Sequence, residues 1–223
     1  MVQGGNQNGV WASAMWSWTI EEDEPATPSD TTAPDSSITQ GPSGGATTPD
    51  PNPRFRFSSS ESGSSFECSL DDEAFVWCTS PFQANALADG AHTFEVRATD
   101  GAGNVDLTPA VASFSVSAPT CRGMRATLVI EGGGFLRGTS GNDVLVAIGG
   151  GDHIIRGHDG NDLICVGAGD DVVYGGAGQD RLSGWLGDDD LRGGSGPDHL
   201  RGGLGIDLCL GGSGKDATLS CER

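Results

Sequence analysis

Nine aspartates recur at nearly constant spacing in the C-terminal part of the chain: Asp143, Asp152, Asp162, Asp171, Asp180, Asp189, Asp198, Asp207 and Asp216. Each is read as the sixth residue of a nine-residue window. The windows are GTSGNDVLV, AIGGGDHII, GHDGNDLIC, VGAGDDVVY, GGAGQDRLS, GWLGDDDLR, GGSGPDHLR, GGLGIDLCL and GGSGKDATL, contiguous over 138–219 apart from one inserted residue, Arg156. In this reading the fourth position is glycine in all nine windows. A carboxylate returning at fixed period suits a hard cation. Two carboxylates and the carbonyls of glycine-rich turns make a cage of about six oxygens, within the range calcium accepts, whereas magnesium demands stricter geometry.

Positioning such carboxylates requires a coil. Slots one to six form a tight turn whose glycines reach backbone angles closed to other residues. Slots seven to nine form a short strand whose middle side chain faces inward. Two windows complete an eighteen-residue coil, so alternate windows stack on the same side. Leu145, Ile164, Leu182 and Leu200 then form one inward ladder, and Ile154, Val173, Leu191 and Cys209 the facing one. Stacking brings together the sixth-slot carboxylates of windows n and n+2, regularly from Asp162/Asp180 to Asp198/Asp216. The pairs Asp143/Asp162 and Asp152/Asp171 straddle the insertion and are less regular.

The competing reading is a metal-free solenoid whose aspartates only shape turns. Asparagine or serine would serve a turn as well, yet the slot holds aspartate every time, and stacked carboxylates without a cation repel. Asp159, Asp170, Asp188 and Asp190, in slots three, five and seven, read as solvated surface. His153 and His199 fall in outward slot seven and His158 in a turn, so they read as surface histidines. Upstream, VIEGGGFLR keeps an inward Leu136 but has Gly134 in place of the aspartate, which makes it a metal-free cap.

This glycine and aspartate pattern resembles the RTX, or haemolysin-type, calcium-binding nonapeptide repeat family over residues 138–219. The resemblance implies a parallel β-roll with Ca2+ held between turns. VGAGDD and AIGGGD depart from it by lacking first-slot glycine, and GWLGDD by carrying Trp185 in slot two. These departures weaken the positioning of nearby carbonyls without removing an aspartate.

The rest of the chain divides by composition. Residues 1–30 hold a tryptophan-bearing stretch (Trp11, Trp16, Trp18), read as a remnant strand of a preceding domain, and an acidic Pro/Thr/Ser-rich linker. Residues 31–118 alternate with period two, as in Phe55 and Phe57 between Arg54 and Arg56, which predicts an antiparallel β-sandwich. Cys68 and Cys78 flank a turn at Asp71–Glu73, as directly opposed hairpin positions within disulfide reach. This stretch resembles bacterial immunoglobulin-like domains through TTAPDSSITQGPSG, FRFSSSESGSSFECSLDDEAFVWCTSP and LADGAHTFEVRATDGAGNVDLTPA. The resemblance implies a spacer or adhesion module and carries no catalytic residue. Residues 119–137 form the N-terminal cap of the roll, and 138–223 the roll with its C-terminal cap. The fold class expected is therefore all-β, an antiparallel immunoglobulin-like sandwich followed by a parallel β-roll. Cys209 points inward near the last coil with Cys221 just beyond it. Cys165 faces outward where the segment bearing Cys121 lies alongside, so Cys121–Cys165 and Cys209–Cys221 are the expected pairs.

Twelve basic against 31 acidic residues give a formal net charge of −19, which disfavours nucleic acid and anionic membranes as partners and favours calcium ions. No eighteen-residue apolar run exists for membrane insertion, and the start lacks the basic n-region of a secretion signal. An even cysteine count fits an oxidising, extracellular or cell-surface setting, with the export signal upstream or the export route different. GPSGG (41–45) lies in a Pro/Gly loop and is no nucleophile elbow. GGSGKD lacks the hydroxyl residue of a phosphate loop. No catalytic constellation emerges, so the chain is not expected to be an enzyme. Two readings remain: a calcium-stiffened spacer or adhesion protein with an unknown surface ligand, or the non-catalytic tail of a larger exported enzyme or toxin.

Overall fold

Period-two alternation becomes strand wherever one face can be buried. The computed structural model describes residues 30–222, and every regular element in it is a β-strand. The stretch around Trp11, Trp16 and Trp18 and most of the acidic linker lie outside the described residues.

The N-terminal unit comprises β1 (Ser36–Gln40), β2 (Ala46–Thr48), β3 (Arg54–Ser59), β4 (Ser65–Leu70), β5 (Val76–Cys78), β6 (Phe82–Gln83), β7 (Gly90–Thr99) and β8 (Ala110–Val116). One sheet runs β1-β3-β6 and the other β2-β8-β7-β4-β5. Between them Phe55, Phe94 and Phe114 are fully buried, with the Phe55 and Phe94 rings stacked at 4.2 Å. Such a contact adds about 0.5–1.5 kcal/mol beyond area burial. The pairing is antiparallel except at β2, which lies parallel to β8 with Ala46 opposite Phe114. Cys68 and Cys78 are bonded with Cα atoms 5.8 Å apart, but they are not directly opposed. The register pairs Phe66 with Cys78 and Cys68 with Val76, so the bridge is diagonal.

A short hairpin follows, β9 (Thr120–Cys121) and β10 (Met124–Arg125). Its apolar side, Cys121 and Ala126, packs on Val144, Val146 and Leu163, and Cys121 is bonded to Cys165. Arg125 reaches back to Asp89 Oδ1 and to the carbonyl of Leu87, at 2.8 and 2.6 Å.

The C-terminal unit is a parallel solenoid. Its first sheet stacks β11 (Leu128–Glu131), β13 (Val144–Ile148), β15 (Leu163–Cys165), β17 (Arg181–Leu186), β19 (His199–Leu204) and β21 (Ala217–Leu219). Its second stacks β12 (Gly134–Arg137), β14 (His153–Asp159), β16 (Val172–Ala177), β18 (Asp190–Ser195) and β20 (Leu208–Ser213). Leu145, Ile164, Leu182 and Leu200 form one inward ladder as expected, all at most 1% exposed. Cys209 closes the opposite ladder and is bonded to Cys221.

One rung differs. Ile154 is 45% exposed, and Ile155 takes the inward place opposite Val173. Arg156 therefore pairs with Tyr174 in slot nine and is not the inserted residue. The extra residue is Ala147, which lies opposite Ile130 of the capping coil. The second window is thus Ile148–Arg156, and everything in it moves down by one slot.

Candidate metal centre

The two turns of each coil stack into two columns, one on either side of the core. In each column the sixth-slot aspartate is locked by the coil before it: Oδ1 accepts the backbone N–H of the aspartate eighteen residues earlier. The bonds run from Asp162 N to Asp180, Asp180 N to Asp198 and Asp198 N to Asp216, at 2.9–3.0 Å. In the other column they run from Asp171 N to Asp189 and Asp189 N to Asp207, at 3.0–3.1 Å. Around the inserted residue the odd column continues, with Asp143 N on Asp162 Oδ1 at 2.9 Å.

That bond leaves the second oxygen. Oδ2 of Asp162, Asp171, Asp180, Asp189, Asp198 and Asp207 is buried and accepts no hydrogen bond. These residues are at most 2% exposed. A buried carboxylate oxygen without a partner costs on the order of 1–3 kcal/mol, more when charged. Six such oxygens are aligned in two columns, a donor set that a cation would suit.

The backbone makes room at the same points. A Cβ on Gly157, Gly175, Gly184 or Gly193 would overlap Oδ2 of its own window's aspartate and the first-slot carbonyl oxygen of the next coil. A Cβ on Gly202 would meet Asp207 Oδ2 and the Ser220 carbonyl. At these five positions glycine is required for oxygen-lined space, not for backbone angle, whereas Val166 fills the slot in the Asp171 window. The fourth slot differs: Gly196 has φ +115°, and a Cβ there would also strike the carbonyl of Gly178. Only glycine satisfies both demands.

Burial raises the carboxyl pKa of Asp162, Asp171 and Asp198 above the ordinary range. Asp180 is pushed up to about 6 and Asp189 to about 7, first by burial and then by the stacked carboxylates beside them, against the stabilising backbone N–H. Desolvation and like charge both penalise the anion, and a divalent ion would remove both penalties. Oxygen-only donors with irregular geometry fit calcium. Elsewhere among the described residues, Asp30, Glu61 and Asp100 bring three carboxylate oxygens within 4.8 Å, but Asp100 is already held by the N–H groups of Ala102 and Asn104. The turns offer fewer side-chain oxygens per level, so carbonyls must complete any coordination shell.

The remaining sequence-predicted residues sit at column ends or outside the columns. Asp143 Oδ2 accepts the N–H and hydroxyl of Thr139, at 2.7 and 2.9 Å, and closes the first turn. Asp216 is partly exposed in the last coil. Asp152 is not in the sixth slot. It stands in the fifth, where its Oδ1 accepts Asp170 N at 3.0 Å, as Asp170 accepts Asp188 N and Asp188 accepts Ile206 N. Asn142 and Asn161 do the same in the other column. Asp170 and Asp188, read as mere solvated surface, are therefore acceptors in an outer ladder.

His153 takes the sixth slot vacated by Asp152. It is 1% exposed, not a surface residue, and both its backbone N and its Nδ1 meet Asp171 Oδ1 at 2.8 Å. Glu222 completes the even column at its other end, its Oε2 accepting Asp207 N at 3.0 Å. Neither role has a signal in the repeat itself, because both residues replace aspartate by another type.

Comparison with known proteins agrees with the repeat geometry. The family described as RTX calcium-binding nonapeptide repeat (4 copies) matches residues 148–182, 156–191 and 186–217. A search of curated proteins finds no match. Among solved structures the PKD domain from human VPS10 domain-containing receptor SorCS2 is similar at 20% identity and TM-score 0.29, covering 53% of this chain and 98% of that one. The stacked, glycine-cradled aspartates of the parallel C-terminal β-solenoid thus lie in a segment that matches the RTX calcium-binding nonapeptide repeat family.

Proposed function

We propose that the two turn columns take up calcium, that the ion completes the folding of the roll, and that the chain works outside the cell as a calcium-stiffened spacer or adhesion module. The observation that carries this reading is the set of six buried, unpartnered Oδ2 atoms on Asp162, Asp171, Asp180, Asp189, Asp198 and Asp207. These are the proposed ligands, with Asp216 as the outer partner of Asp198 and Asp143 as a closing residue. Asp152, in the fifth slot, is left out of the set.

The chain's own part is positional. Each Oδ1 fixes coil register and leaves Oδ2 free, while first-slot glycines let the next coil's carbonyl approach. When bound, calcium supplies the positive charge that these oxygens lack. At free calcium 100-fold above Kd, each site adds about 2.7 kcal/mol to the folded state. The inward ladder contributes only one large apolar side chain per window, so several sites would decide folding. Where calcium is scarce the roll would stay open and exportable. Three disulfides support an oxidising destination.

The test is calorimetric titration of EDTA-stripped protein with calcium, followed by far-ultraviolet circular dichroism. Uptake of several ions with a gain of sheet signal is expected. No heat of uptake, or an identical sheet spectrum in EDTA, would overturn the proposal.

A further inference from the structure

The outer face of the β11-to-β21 sheet is covered by the β9–β10 hairpin only over its first rungs. Beyond Cys165 no described residue covers it, and it carries three adjoining hollows, each lined in part by Arg201. The largest, about 570 Å³, brings Arg122, Arg201, Ser183 and Trp185 together. Arg181 and His199 extend the same surface in the next hollow.

Three features set this face apart. No residue lining the hollows is acidic, although the chain carries 31 acidic residues. Arg122, Arg181 and Arg201, gathered on these hollows, make no ion pair among the described residues; Arg54, Arg56, Arg137 and Arg156 are also unpaired but do not line them. Trp185 is 63% exposed and held at φ +80°, in a slot where Gly176, Gly194, Gly203 and Gly212 stand in other windows and where His158, at φ +86°, is the other large residue in that conformation. A large side chain kept in a glycine conformation, and kept out in solvent, is a strain that packing does not explain. Arg122 also has left-handed backbone, at φ +50° on the tip of the hairpin, and the Cys121–Cys165 disulfide next to it anchors that tip over the groove.

We propose that this groove binds an acidic oligosaccharide, with a pyranose face lying on the Trp185 ring and a sugar carboxylate held by Arg201 and Arg122. A planar guanidinium matches a carboxylate through two parallel hydrogen bonds, and an exposed indole offers a flat apolar plate beside the Ser183 hydroxyl. A densely charged polyanion such as nucleic acid would be repelled by the net charge of −19. A sugar chain with widely spaced carboxylates and an uncharged body matches one aromatic plate and a few arginines. An acidic peptide has the charge but no flat face for the indole.

The test uses the full chain saturated with calcium, titrated calorimetrically with a hexasaccharide of alternating glucuronate and N-acetylglucosamine. A neutral N-acetylglucosamine hexamer and hexaglutamate serve as comparison ligands. Saturable binding of the glucuronate chain is expected, at least tenfold tighter than either comparison. Trp185→Gly suits the backbone of that slot and removes only the ring, so the protein should fold at least as well. It and Arg201→Gln should each weaken binding at least tenfold while calcium uptake, measured separately, stays at its original stoichiometry. Absence of binding, equal binding of hexaglutamate, or undiminished binding by Trp185→Gly would overturn the proposal.

Discussion

Replacing Asp189 by asparagine should change the sign of its effect on stability with the presence of calcium. Asp189 is 2% exposed, its Oδ1 accepts Asp171 N at 3.0 Å, and its Oδ2 has no partner. Asparagine keeps the Oδ1 acceptor and removes the charge. Without metal that charge is a burden, since burial and the stacked carboxylates push the Asp189 pKa from 3.8 to about 7. That rise amounts to about 4 kcal/mol against the anion in an unscreened interior, and screening at the turn roughly halves this. Asp189→Asn should then stabilise the EDTA-treated roll at pH 8 by about 2 kcal/mol. With calcium 100-fold above Kd the balance reverses. Asp189 belongs to two levels, with Asp171 and with Asp207, and losing two ions forfeits roughly 5 kcal/mol against the 2 regained. A net loss of about 3 kcal/mol is expected. Urea unfolding in calcium, and refolding of the EDTA-treated chain by trimethylamine N-oxide, both followed by circular dichroism, measure the two values. Equal destabilisation in the two media would show that the carboxylate serves only as a turn acceptor, and the metal argument would fail.

Two further outcomes follow from the same columns. Gly193→Ala places a Cβ against Asp198 Oδ2 and the Gly211 carbonyl, whereas Gly150→Ala meets nothing within 4 Å. The first should cost about 3 kcal/mol or more in calcium through overpacking and a lost ion, and the second under about 0.5 kcal/mol, with urea midpoints as the measure. Protonation should also compete with calcium. Because the folded pKa values of Asp180 and Asp189 are raised to about 6 and about 7, protons stabilise the metal-free roll. Its stability should fall as pH rises from about 4 to 7, while apparent calcium affinity climbs over the same range. Calorimetry in buffers of different ionisation enthalpy would register the released protons, and a pH-independent affinity would contradict the assignment.

Much of the roll was legible because its period is short and each slot has one demand. Fourth-slot glycine answers a positive φ and a close carbonyl, eighth-slot Leu or Ile answers the core, and outward slot nine made Cys165 reachable from Cys121. The register failed in one window, for a reason visible in its residues. Gly149–Gly151 supplies three consecutive glycines and Ile154–Ile155 two adjacent apolar residues, so that window fits the repeat at either of two offsets. Reading aspartate as the anchor selected the wrong offset. Strand pairing of Ile155 with Val173 selects the other, which buries His153 and turns Asp152 outward. The fifth-slot alternation of Asn142, Asp152, Asn161, Asp170 and Asp188 was itself a signal, because every one of those side chains carries an acceptor oxygen.

The ends of the columns obey a different logic from their middles. An interior aspartate accepts the N–H of the coil before it, eighteen residues away. The last N–H groups have no further coil and need an oxygen from outside the repeat. Glu222 supplies one to Asp207 across fifteen residues, its longer side chain making up for a chain that has left the coil path. At the opposite end Thr127 Oγ1 accepts Val144 N at 2.9 Å, and Thr139 closes on Asp143. None of these residues keeps the nine-residue period, so pattern reading passes over them. Sixth-slot N–H groups point to the coil after and seventh-slot N–H groups to the coil before, so each end of the array must close on an acceptor, since a buried donor left unpaired is costly. The off-period oxygens of Thr127 and Glu222 are therefore as necessary to the array as its aspartates. The end residues Asp143 and Asp216 are absent from the six with a buried, unpartnered Oδ2 for separate reasons: Asp143 Oδ2 accepts the N–H and hydroxyl of Thr139, and Asp216 reaches solvent.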